Sequence, residues 1–172
     1  MDNDEKLKRF SKEFFGKSME FLSLKYVEST DDEMIFSCEF KEECSNPMGS
    51  VQGGMITAAL DDATSAAMIS GYDEKKAPMT TDLHVLFHRP LAVGPAKMKV
   101  KIIKLGRSSA TSEGRIYNQE DKLVATLLHT AQPVDRPNKL LFLSLNIASR
   151  FILMQQCNDL SSKRFTFTSI NS

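Results

Sequence analysis

Apolar and polar residues follow two periods along this chain, and the switches between them lay out the elements. Over residues 4–16, Leu7, Phe10, Phe14 and Phe15 recur at helical spacing among charged residues, with Gly16 as a stop, which predicts an amphipathic helix. The pattern then becomes strand-like. Residues 21–27 and 34–40 are expected strands, joined as a hairpin through Ser29-Thr30-Asp31-Asp32. A breaker-rich loop begins at Asn46, and a long helix is expected over residues 53–69, ending near Gly71. Four more strands are expected, at residues 80–87, 95–105, 108–117 and 122–131. Gly94-Pro95, Leu105-Gly106 and Asn118-Gln119-Glu120-Asp121 supply their turns.

Within these strands the faces separate. Leu83, Val85 and Phe87 share one side, and Met98, Val100 and Ile102 oppose Lys97, Lys99 and Lys101. Consecutive strands with short turns imply an antiparallel sheet, and the long helix is the element available to cover it. That helix carries alanine at 58, 59, 63, 66 and 67, small enough to let its axis lie close to a curved sheet. Its polar exceptions Thr57, Asp61 and Ser65 form one stripe. The expected fold class is therefore α+β, an antiparallel sheet wrapped around a long central helix. Residues 1–135 are expected to form this domain, and 136–172 an extension without assigned chemistry. Residues 140–154 are strongly apolar, but Asn146 and Arg150 interrupt them and the stretch is too short for a membrane span.

Composition narrows the function classes. Lys and Arg number 22 and are balanced by 22 Asp and Glu, so no net field draws in nucleic acid or an anionic membrane. Cys38, Cys44 and Cys157 are irregularly spaced, which reads as free thiols, with no metal site expected. The opening Met-Asp-Asn-Asp-Glu-Lys is too acidic for a secretory signal or transit peptide, so a cytoplasmic protein is expected. No Gly-x-Ser-x-Gly elbow occurs, which removes the usual serine-nucleophile hydrolase fold.

The chemistry concentrates between Asn46 and Asp62. An isolated Gly-Gly is usually a helix start or a tight turn, but Gly53-Gly54 lies between Asn46 upstream and Asp61 on the helix that follows. Backbone N–H groups at a helix N-terminus suit a carbonyl oxygen that gains negative charge, and glycine permits close approach of the substrate. Asp61 lies roughly 12 Å along the axis from Gly53 at the helical rise. One helix therefore cannot supply both oxyanion donors and base to a single carbon. If both act, two helices must meet across a two-fold axis, with two sites per dimer.

Asn46, Gln52-Gly53-Gly54, Asp61 and Ala77-Pro78-Met79-Thr80-Thr81-Asp82 resemble the hotdog-fold acyl-CoA thioesterases of the phenylacetate-degradation (PaaI) type. Leu105-Gly106-Arg107-Ser108 and Lys122-Leu123-Val124-Ala125 match as well, so the resemblance covers roughly residues 14–133. It implies an acyl- or aryl-CoA substrate hydrolysed to acid and CoA without a cofactor, in homodimers that often pair into tetramers. Gly53, with Gly54 nearby, would donate N–H to the thioester oxygen, and Asn46 would orient the thioester. Asp61 of the partner subunit would deprotonate water or act as nucleophile, and Thr80 would position that water. Asp62 ranks second to Asp61. Many members carry His where this chain has Gln52, which leaves that position a positioning role and no change of charge. Thr81 belongs to the matching segment, and Arg89 and Arg107 with Ser108 are candidates for the CoA phosphates. Phe14, Phe15, Met55 and Met68 are equally well read as acyl tunnel or as core.

His84, His88 and His129 lie on expected strands without a partner carboxylate at any diagnostic spacing and read as ordinary strand histidines. Two rivals remain. One is a non-catalytic acyl-CoA binding or sensor module on the same scaffold. The other is a dehydratase or hydratase, which needs a His paired with an acid near the central helix.

Overall fold

The computed structural model describes residues 16–30 and 32–136. The helix expected over residues 4–16 lies outside these apart from Gly16, and so does the 136–172 extension apart from Arg136. The described chain opens with a short helix, α1 (Lys17–Phe21), and then β1 (Lys25–Ser29). This corrects the strand expected at 21–27. Met19, Leu22 and Leu24 are all buried, but Ser23 takes a left-handed conformation (φ 50°) and ends the helical turn. Leu24 N–H then donates to the Met19 carbonyl at 2.9 Å. An unbroken apolar run thus hides a helix end followed by a strand start.

After β1 come β2 (Met34–Phe40), a 3-10 turn (Glu42–Cys44), and the long helix α2 (Gly53–Gly71). The remaining strands are β3 (Lys76–Phe87), β4 (Gly94–Leu105), β5 (Ala110–Tyr117) and β6 (Leu123–Asp135). All pairings are antiparallel, in the order β1-β2-β4-β5-β6-β3. β3 follows β2 in sequence but lies at the opposite edge, so α2 must cross the face of the sheet between them. It packs on five strands, β2 to β6. β3 starts earlier and β6 ends later than their hydrophobic alternation indicates, because Lys76 pairs with Asp135 and extends the ladder past the apolar positions.

The core is the layer between α2 and the sheet. Ala59, Ala63, Ala66 and Ala67 on the helix are almost wholly buried, against Phe36, Met98, Val100, Ile116 and Leu127 from the strands. Leu83 and Val85 pack at its margin as the alternation predicts. Phe87 does not. It is 52% exposed, and its ring lies over the start of α2, where a Cβ on Gly53 would stand 3.2 Å from Cζ.

Between helix and sheet, close approach is required at Gly114 of β5. A Cβ there would meet Thr64 Cγ2 at 2.9 Å and Leu60 Cδ2 at 3.2 Å. Both neighbours are fully buried helix side chains and cannot swing aside. Gly114→Ala is accordingly expected to destabilise the fold by about 1–3 kcal/mol through overpacking. Urea unfolding checks this, and an unshifted midpoint would show that the helix has room to move.

Candidate active site

Local hydrogen bonding shapes the start of α2. Asn46 Oδ1 accepts from the N–H groups of Met48 (2.9 Å) and Ser50 (3.3 Å), and Asn46 Nδ2 donates to Ser50 Oγ at 2.9 Å. Gly49 completes this turn with φ 79°. Ser45 and Val51 bridge across it, and Gln52 N–H donates to the Cys44 carbonyl at 2.8 Å. The loop is thus closed on itself and delivers Gln52 as the N-cap of α2. Asn46 holds the loop with most of its side chain, leaving one Nδ2 hydrogen uncommitted among the described residues.

Gln52 Oε1 accepts from the third helical amide, Met55 N–H, at 3.1 Å. Its side chain folds back so tightly that a Cβ on Gly54 would stand 2.7 Å from Oε1. The cap therefore explains Gly54 independently of any substrate. It also leaves the two amides before Met55, those of Gly53 and Gly54, without an acceptor among the described residues. Both carry the positive end of the helix dipole outward.

Two turns along α2, Asp61 faces β3 and β6. Thr80 Oγ1 lies within hydrogen-bond distance of both Asp61 Oδ1 (3.3 Å) and His129 Nε2 (3.1 Å), with one hydrogen to give between them. His129 Nδ1 is 2.8 Å from Thr64 Oγ1 and 3.7 Å from Asp61 Oδ1. The imidazole is fully buried, whereas the Asp61 side chain keeps 35% of its exposure. Burial pushes His129 below the ordinary histidine value, and the Asp61 charge opposes that shift. The reading of His129 as a strand histidine without a carboxylate is therefore wrong. Its partners come from α2 and β3, separated from it by 65 residues at Thr64 and 49 at Thr80. A His–acid pair beside the central helix is present after all. Both ring nitrogens are engaged and the ring is sealed from solvent, so it offers no nitrogen to a substrate.

The other expected site residues fall in three places. Asp62, next to Asp61, turns toward Ser18 of α1. Burial raises its pKa, the Ser18 hydroxyl lowers it, and Asp61 adds a smaller upward push. Its Oδ2 is buried without a hydrogen-bond partner among the described residues. Thr81 donates its hydroxyl to the Thr130 carbonyl at 3.0 Å, tying β3 to β6. Arg89, Arg107 and Ser108 are exposed on turns, and none joins the Asp61 cluster. Met55 is half-buried and Met68 fully buried in the core; Phe14 and Phe15 lie outside the described residues. Cys38 and Cys44 are free and buried, and burial pushes the Cys38 thiol up to about 12. Among the described residues no cluster of three or more His, Cys, Asp or Glu is arranged to hold a metal. No described helix is long and apolar enough to cross a membrane.

Residues 48–125, which take in the later part of this loop, α2 and the strands up to the start of β6, match the model of the Thioesterase superfamily. The fold is that of the hotdog thioesterases. A thioesterase of Haemophilus influenzae superposes with TM-score 0.67 at 19% identity, over 78% of this chain and 92% of that one. A phenylacetic acid degradation-related protein of Ralstonia eutropha gives 0.67 at 23% identity, over 76% and 98%. The E. coli PaaI protein, from the phenylacetic acid degradation operon, gives 0.67 at 16% identity, over 77% and 96%. Among curated proteins none matches. The chain is thus similar to PaaI-type hotdog proteins at low identity, and the superfamily match supports thioester hydrolysis in general.

Two outcomes follow from this local geometry. Gln52→Ala removes the side-chain cap of α2 and is expected to cost about 1 kcal/mol, read from the shift in denaturation midpoint; an unchanged midpoint would mean the cap contributes nothing. Asp62 has a folded-state pKa above its unfolded one, so it favours the fold below the ordinary value of 3.8 and loses that contribution as pH rises through the raised value. Asp62→Asn should therefore melt above the parent at neutral pH, with the gap closing in acid. A gap that persists in acid would remove the ionisation account.

Proposed function

We propose that this protein is an acyl-CoA thioesterase, hydrolysing acyl- or aryl-CoA to the free acid and CoA. One observation carries the reading: α2 offers two uncommitted amides at Gly53 and Gly54, and two turns later a partly open carboxylate, Asp61, held beside Thr80. In the reaction, Asp61 takes a proton from water while the water oxygen bonds to the thioester carbon. The carbonyl oxygen becomes an oxyanion between the Gly53 and Gly54 N–H groups. Collapse breaks the carbon–sulfur bond, and the CoA thiolate leaves and is protonated. Direct attack by the Asp61 carboxylate, followed by hydrolysis of the resulting anhydride, gives the same products. Thr80 orients the water, and the uncommitted Asn46 Nδ2 hydrogen helps orient the thioester. Arg89, Arg107 and Ser108 are exposed and available to CoA phosphates.

The spacing along α2 calls for two copies per site, the amides from one protomer and Asp61 from its partner. Support comes from β3, an edge strand with Met79 57%, Leu86 53% and Phe87 52% exposed, beside Leu128 of β6 at 40%. An apolar sheet edge of this kind suits pairing with a second copy. Pairing of such dimers into tetramers is the further assembly expected of the type.

Asp61→Asn is expected to lower turnover at least about 10²-fold, as for loss of a general base, while the dimer and CoA binding persist. Free-thiol release from a panel of acyl- and aryl-CoA substrates measures it. Turnover at the parent rate would remove Asp61 as base. Acyl-CoA binding by the parent without any thiol release would instead establish the non-catalytic binding module.

A further inference from the structure

We propose that His129 is a positioning residue, directing the Thr80 hydroxyl hydrogen away from Asp61 so that the facing carboxylate oxygen stays free to accept a proton from water. The proposal rests on the catalytic reading of Asp61 given above and extends it to a residue that touches no substrate. It follows from counting hydrogens in the cluster around the buried Thr64–His129 pair.

Thr64 Oγ1 lies 2.7 Å from the Leu60 carbonyl and 3.1 Å from the Asp61 carbonyl, so its single hydrogen is committed to the helix backbone. Toward His129 Nδ1, at 2.8 Å, Thr64 can then only accept. Nδ1 must carry the hydrogen. In a neutral ring that leaves Nε2 as an acceptor. Thr80 Oγ1, 3.1 Å away, has one hydrogen and two claimants, Nε2 and Asp61 Oδ1 at 3.3 Å. With His129 neutral, Nε2 takes it. The Thr80 oxygen is then left with lone pairs that accept from water, and Asp61 Oδ1 is uncovered.

Protonation of His129 reverses the chain. Nε2–H donates to Thr80 Oγ1, and the Thr80 hydrogen turns onto Asp61 Oδ1, covering the oxygen that would act on water. The groups facing the ring are Asp61 and Thr64 from α2, Thr80 and Leu83 from β3, and Ser112 from β5. Of these, only Asp61 titrates. Burial holds the ring below the ordinary histidine value, which keeps the productive, neutral arrangement in place at neutral pH. The one covalent change in this switch is the N–H bond formed at Nε2 by a proton from solvent; every other change is the redirection of a hydrogen bond.

Two readouts test it. In the parent, nitrogen NMR of labelled histidine should find His129 with its hydrogen on Nδ1, titrating below the ordinary value, and kcat should fall with the same midpoint on its acid side. His129→Gln should lower kcat by roughly tenfold at neutral pH, the worth of one hydrogen bond, with KM little changed. Its acid limb should no longer follow the His129 titration and should move to lower pH. Should the buried substitution fail to fold, Thr80→Val on the exposed edge strand should likewise uncouple the acid limb from the His129 titration, and Thr80→Ser should restore it. A hydrogen on Nε2, or an acid limb unmoved in Thr80→Val, overturns the proposal while leaving thioester hydrolysis standing. Absence of thiol release with the Nδ1 hydrogen and the Thr80-dependent titration intact would overturn the catalytic reading and leave the hydrogen-bond chain standing.

Discussion

Near-backbone contact between α2 and the sheet is the constraint on which the rest depends. Alanines at 59, 63, 66 and 67 remove bulk from the helix, and Gly114 removes it from β5 where Thr64 and Leu60 press down. At this separation a side chain as short as that of Thr64 reaches across to a strand histidine. With larger residues in the layer, the helix would lift and Asp61, Thr80 and His129 would lose their common geometry. Packing density here serves as a positioning device, because a dense interior transmits the identity of one residue to the placement of the next.

Along the same helix, the cap and the proposed oxyanion site divide the available donors. An α-helix begins with amides that have no partner of their own. In α2 the Gln52 side chain satisfies the third of these and withdraws from the first two. Gln52 thus has a structural task that requires no change of charge. Gly54 is glycine because that cap lies against it, and Gly53 because the Phe87 ring does. In the proposed reaction the acid–base work falls to the middle of the helix's polar stripe, where Asp61 sits between solvent and a sealed imidazole.

Much of this was legible in the chain. Alternation located β4 and its inward face, and the small-residue helix with its glycine start announced the layer between helix and sheet. Two features escaped. The helix–strand boundary at Ser23 lies inside a continuous apolar run, and only the local left-handed conformation separates α1 from β1. His129 escaped for a different reason: its meaning lies in strand register, including an irregularity between Thr80 and Asp82 that turns Thr80 toward the helix side. One signal was available. His129 alternates in phase with Leu127 and Ala131, both buried, so it occupies an inward position where an imidazole needs partners.

The claim that each site is built from two copies is tested most directly by mixing two damaged protomers. Gly53→Pro removes one oxyanion donor at the first helical position, and Gln52 before it is already extended (ψ 134°), as a residue preceding proline must be. Asp61→Asn removes the base. Co-expressed with different tags, the two variants form mixed dimers in which one site unites the intact Gly53 of one protomer with the intact Asp61 of the other. Random pairing should restore about a quarter of parent thiol release, since half the dimers are mixed and each has one of two sites whole. Activity no higher than that of the two variants alone, in confirmed mixed dimers, would contradict the shared site.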